Sequence, residues 1–182
     1  MSNYLGKSNL SRGIRNNNPG NLRITADKWQ GMVSLDKNTD KSFQQFIEMK
    51  YGVRAMLRDV VNDILKGKNT IRKLISEYAP PTENNTESYI NGVSKKLGLT
   101  PDEKIKKIDA VFLMAIAKAI ISHEVKASEK HLVTDSDIRK AISILGTFNT
   151  PKDLKIDTTV LNPLIALIPV LLFFYTWLTV SL

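Results

Sequence analysis

The acid with the most distinctive surroundings is Glu124, which closes the run LMAIAKAIISHE. An apolar helix that ends in a carboxyl group desolvates it and sets it at the negative end of the helix dipole, and both effects disfavour the charged form. A carboxyl that keeps its proton near neutral pH can protonate a glycosidic oxygen. A Glu just beyond a helix end can equally be an ordinary solvated side chain. Glu83 is the rival acid. In APPTENNTESY it stands in a turn with Asn84, Asn85, Thr86 and Tyr89, a composition suited to a polar cleft wall and also to capping the helix that follows.

A second stretch, RGIRNNNPGNLR at 12–23, gathers Asn16, Asn17, Asn18 and Asn21 around Pro19-Gly20 and brackets them with Arg12, Arg15 and Arg23. Pro-Gly imposes a bend, and each Asn amide brings two donors and an acceptor. Such a loop can grip a polyhydroxylated ligand such as a sugar chain, or spend the same groups on its own backbone. Trp29, Phe43 and Tyr89 can stack on sugar faces or belong to the core.

The chemistry excluded is clearer. There is no cysteine and there are only two histidines, His123 and His131, so neither a disulfide framework nor a zinc site is predicted, and no metal or cofactor is expected. The 26 Lys and Arg against 18 Asp and Glu leave a formal charge of +8, which favours anionic partners: nucleic acid, anionic lipid or a bacterial cell wall. The basic residues are scattered and no nucleic-acid motif appears, so nucleic acid is the least favoured of the three.

The elements that must position these residues follow from periodicity. Trp29, Gly31, an Asp-Lys-Asn-Thr-Asp turn, Phe43 and Phe46 predict short strands in a hairpin or irregular lobe. Apolar residues at helical spacing predict a helix over 50–65, stopped by Gly67. A second helix opens at Thr70 and ends before Pro80-Pro81, and a third closes at Gly98. The stretch TPDEKIKK carries N-cap, N1-proline and acidic first-turn signals for the next helix, and 108–123 is the most apolar helix of the domain, predicted to be nearly surrounded by protein. A short amphipathic helix over 135–145 precedes a linker. The sum is mainly helical with a small β element and no parallel sheet.

The amino terminus lacks the apolar core of a secretory signal. From Val160 to Leu182 no side chain is charged; this length matches a bilayer's hydrocarbon thickness and predicts a C-terminal transmembrane anchor, with a buried core helix as the alternative. Tyr175 and Trp177 suit the far interface, and Pro169 predicts a kink.

The words RGIRNNNPGNLR, WQG, FQQF, YGVRAM, SEYAPPTENNTESYI and AIAKAIISHE occur in this order between Arg12 and Glu124. On them the chain resembles a family of phage and prophage virion proteins, found in membrane-containing phages, that is itself similar to peptidoglycan-cleaving enzymes of the lysozyme-like superfamily. The resemblance implies a lysozyme-like helical domain with a small β lobe over 12–148, after an N-terminal segment 1–11 and before a linker 149–159 and an anchor 160–182. In glucosaminidases and lytic transglycosylases of that superfamily, a catalytic Glu ends an apolar helix and faces an Asn- or Gly-rich loop that follows it. Here the Asn loop comes first, so Glu124 is expected to return in space to Asn16–Asn21, as in a circular permutation. Relatives read Glu-Asn-Gly where this chain has Glu124-Val125-Lys126, a departure that alters the setting of the acid.

The reaction implied is lytic transglycosylation or muramidase cleavage of wall glycan strands during phage entry. Arg12, Arg15 and Arg23 would meet the lactyl and peptide carboxylates of the wall. The expected partners are peptidoglycan, lipid through 160–182, and capsid proteins. The alternative is a catalytically idle virion protein that links capsid and viral membrane.

Overall fold

Val53, Met56, Leu57, Val60, Val61 and Ile64 fall on one stripe of a helix and are all buried, and that stripe organises the domain. The computed structural model describes residues 2–78, 85–149 and 154–157. The stripe belongs to α2 (Met49–Leu65), which follows a short α1 (Arg12–Arg15). Then come α3 (Ile71–Tyr78), α4 (Thr86–Leu97), β1 (Lys107–Asp109), α5 (Ala110–Glu124), a 3-10 turn at Ala127–Leu132, α6 (Asp135–Ser143) and β2 (Lys155–Asp157). α5 lies centrally, touching α2, α4 and α6. Leu113, Ile116 and Ile120 of α5 are buried, each such side chain stabilising by roughly 1.5–3 kcal/mol.

Helix ends are closed by side-chain caps and by glycine. The Thr70 hydroxyl accepts from the Lys73 N–H at 3.2 Å, Asn85 accepts from Ser88 at 3.2 Å, and Gly98 closes α4 in the left-handed region at φ 66°. Thr134 and Asp137 form a reciprocal capping box on α6, satisfying N–H groups that a helix start otherwise leaves open. At the other end of α6, Arg54 and Arg58 of α2 each donate at 2.7 Å, to the carbonyls of Ile144 and Leu145. The N-terminal residues join this frame: the Ser2 hydroxyl donates to Asp137 at 2.7 Å, across 135 residues, and the Ser2 carbonyl accepts from the Met49 N–H.

Several expectations are corrected. The lysozyme-like architecture with a β lobe is not what the structure has. Between 22 and 47 there are only isolated antiparallel bridges, Arg23 to Phe43 and Met32 to Phe46. Asn38 accepts from the N–H groups of Asp40 and Lys41, and Lys41 sits at φ 66°, so side-chain-closed turns interrupt the ladder.

The sheet that exists is parallel, β1 pairing with β2 in the register Lys107–Lys155, Ile108–Ile156 and Asp109–Asp157. The helix expected to open in TPDEKIKK starts only at Ala110, because the Glu103 carboxylate closes a turn onto the Thr100 N–H and the distant β2 holds 107–109 extended. α5 is also not wrapped all round, for Val111 is 77 % exposed.

The transmembrane helix is likewise unsupported: no helix among the described residues is long and apolar enough to cross a membrane. α5, the most apolar, has 15 residues and rises about 22 Å, short of the ~30 Å of a hydrocarbon core. Residues 160–182, to which that expectation refers, lie outside the described residues, as does Glu83.

Candidate functional site

The Asn loop begins as the last turn of α1, with the N–H groups of Asn16, Asn17 and Asn18 donating to Arg12, Ile14 and Gly13 carbonyls at 3.1, 2.9 and 2.8 Å. Asn17 and Asn21 both lie at φ 50°, left-handed positions that Asn tolerates better than most residues. Two glycines let the loop sit this close. A Cβ at Gly52 of α2 would stand 1.8 Å from the Asn17 carbonyl oxygen, and one at Gly13 would stand 3.0 Å from the Asn21 side-chain oxygen.

Three of the four Asn side chains face inward. Asn18 accepts from the Leu22 N–H at 3.0 Å and donates to the carbonyls of Leu22 and Gln44 at 2.9 and 3.0 Å. Asn17 donates to the Phe46 carbonyl at 2.9 Å and to Asn3 at 2.8 Å, and accepts from the Tyr4 N–H at 2.9 Å. Asn16 donates to Asp40 and accepts from Gln45, both at 2.9 Å. All three are buried. Their amides knit the N-terminal residues, the loop and the 38–46 segment together, which is the self-satisfying use of the composition.

Asn21 points elsewhere. Its amide donates to Oε2 of Glu124 at 3.0 Å, closing 103 residues of chain. Glu124 is the last residue of α5, its side chain 19 % exposed, and Nδ1 of His123 lies 3.7 Å from the other carboxyl oxygen. The His123 ring stacks on Tyr89 of α4, with centroids 3.6 Å apart and planes 6° off parallel. Tyr89 is buried and, among the described residues, its hydroxyl has no hydrogen-bond partner. Burial first, and the Glu124 charge second, push that phenol above its ordinary range.

The remaining predicted residues have other neighbours. Arg15 lines a small cavity of ≈ 160 Å³ with Asn16, Thr39, Asp40 and Gln45. Beside it Arg12 pairs with Asp40 at 3.5 Å, and Arg12 and exposed Arg23 both lie over the Phe43 ring, at 4.9 and 5.1 Å. Burial alone would raise the Asp40 carboxyl, but the Asn16 amide, the Phe43 N–H and the Arg12 charge outweigh it and hold it below the usual range. Trp29 is partly exposed in a turn where Met32 accepts from its N–H through sulfur.

Sequence reasoning missed His123, although it adjoins Glu124, and it missed Asp59. Burial, then the charges of Asp63 and Asp27, push the Asp59 carboxyl up to about 6. The run RDVVND offered no signal of that beyond two acids four residues apart on α2. Among the described residues no group of His, Asp and Glu could hold a metal ion.

The Asn21 amide thus fixes one oxygen of a carboxyl group that is largely shielded from water.

No family model matches the chain. It is similar to Protein P5 of Pseudoalteromonas phage PM2, 37 % identical over 99 residues, which are 52 % of this chain and 61 % of that relative. The chain thus spans about three-fifths of the length of the relative it matches. This similarity supports a phage virion protein.

Proposed function

We propose that this phage virion protein cleaves the glycan strands of peptidoglycan during entry, by a lytic transglycosylase reaction with Glu124 as the proton donor. The observation that carries the reading is the Asn21–Glu124 hydrogen bond at 3.0 Å, which orients a partly shielded carboxyl beside the loop. In the reaction Glu124 gives its proton to the glycosidic oxygen as the C–O bond breaks. The resulting carboxylate then takes the proton of the sugar's own hydroxyl as that oxygen closes an anhydro ring, so one acid serves both steps and no second carboxylate is needed. Arg15 and Arg23 meet wall carboxylates. Asn16, Asn17 and Asn18 act from behind, holding the loop that carries Asn21.

A structural virion role without catalysis is the second reading. It is favoured by those same three amides, which are already spent inside the fold. Digestion of purified peptidoglycan by the full chain separates the two. Anhydro-muropeptides that disappear with Glu124→Gln support the enzyme, and loss only with Glu83→Gln moves the acid to the other turn. No products from folded wild-type protein would leave the structural role.

A further inference from the structure

Away from the Asn loop, the start of α5 and the end of α4 enclose a groove of ≈ 480 Å³ whose apolar lining includes Leu97, Leu99, Val111 and Phe112. Val111, at 77 %, is the most exposed large apolar side chain among the described residues. An aliphatic residue standing in water on the first turn of the most apolar helix gains nothing from folding.

The rim is cationic. Lys96, Lys104, Lys106 and Lys107 line it, and the parallel strand pair sets Lys155 beside Lys107. Glu103 and Asp109 line the groove and both are engaged: Glu103 accepts from the Thr100 N–H at 3.3 Å, and Asp109 takes Lys107 at 2.8 Å and the Phe112 N–H at 2.8 Å; Asp157, opposite Asp109 in the strand pair, adds a third acid whose charge acts on Lys107. Lys96 reaches the hydroxyl of Ser122. Lys104 and Lys106 are exposed. Like charges gathered round an apolar lining repel one another, a cost that an anionic partner relieves.

We infer that this groove is a docking surface for an anionic lipid membrane, with Val111 entering the headgroup boundary and the lysines meeting lipid phosphates. The lining's chemistry selects lipid over nucleic acid. Its most exposed member is aliphatic, not a ring on which bases would stack, whereas aliphatic side chains framed by lysines suit the boundary between acyl chains and headgroups. The surface lies within the folded domain, and the inference depends neither on residues 160–182 nor on the proposed glycan chemistry.

The absence of cysteine allows a site-specific test in the full chain. A polarity-sensitive dye on Val111→Cys reports whether this surface enters lipid, since binding through another segment leaves the dye in water. The emission is expected to shift to the blue with phosphatidylglycerol vesicles and not with phosphatidylcholine vesicles. The same dye on Leu35→Cys, in a segment that contributes nothing to the groove, should not shift. Changing Lys96, Lys104 and Lys106 together to Gln should weaken the response about a hundredfold, at about fivefold per lysine. Raising salt on the otherwise unaltered Val111→Cys protein should weaken it as well. The inference is overturned by an equal shift with neutral vesicles, by an equal shift at Leu35→Cys, or by indifference to both lysines and salt. A lysine-dependent shift with DNA and none with vesicles would assign the surface to nucleic acid instead.

Discussion

Gly52 of α2 and Asn17 of the loop meet backbone to backbone, so closely that a Cβ on Gly52 would stand 1.8 Å from the Asn17 carbonyl oxygen. The word YGVRAM thus contains a packing requirement as well as a helix pattern. Gly52→Ala forces either α2 or the loop to move, and should cost about 3 kcal/mol, at the upper end for overpacking. Urea unfolding checks this. A change below about 0.5 kcal/mol would show that loop and helix do not need this approach.

The four asparagines divide into two kinds, and substitution should separate them. Asn18→Ala strands buried partners at Leu22 and Gln44 and should lower stability by about 2–4 kcal/mol. Asn21→Ala loses one partly exposed bond to Glu124 and should cost about 1 kcal/mol or less. If glycan cleavage is the activity, Asn21→Ala loses turnover while keeping its fold. Equal destabilisation by the two changes would contradict the division.

Tyr89 gives a sharper contrast. Its ring is buried against His123 while its hydroxyl lacks a partner among the described residues. Tyr89→Phe should therefore be neutral or stabilising by up to about 1 kcal/mol, whereas Tyr89→Ala should cost about 3–5 kcal/mol. Marked destabilisation by Tyr89→Phe would show that the phenol is bonded in solution.

Stability should depend on pH in two opposite limbs. Asp59 is raised in the folded state to about 6 from 3.8, so the folded chain holds this proton more tightly. Stability from this group is full below about pH 4 and is lost as pH rises towards 6. Asp40 and Asp137 are held low despite burial, by Asn16 and Phe43 in one case and by Thr134 and Ser2 in the other. Their contribution is present above 3.8 and is lost as pH falls below it. Asp59→Asn should flatten the limb between about 4 and 6 and, after solvent screening, raise stability at pH 7 by on the order of 1 kcal/mol. Thermal melts across pH 3–8 test both limbs; an unchanged slope in Asp59→Asn would sink the first.

The helices were legible where spacing and caps agreed. The stripe of α2, Asn85 before α4 and Gly98 after it were all visible in the sequence. Failures came where a residue's local signal was claimed by something distant. Thr100, Pro101 and Glu103 look like a helix start, yet they close a turn, because Lys107–Asp109 pairs with a strand far along the chain. The 22–47 segment carries aromatic and turn residues like a hairpin, but Asn38 and its neighbours spend the backbone on side chains. At the site, composition showed that the Asn amides needed partners. It could not show that Asn16, Asn17 and Asn18 find them within the fold, while Asn21 alone of the four donates to Glu124.

Ser2 bonded to Asp137 joins the second residue to one 135 positions later. A ribosome releases the chain from its amino end, so this clasp stays open until α6 has emerged. The same order of emergence divides the Asn loop: Asn17 meets Asn3 and Tyr4 within the first seventeen residues translated, whereas Asn21 waits for Glu124 at the end of α5.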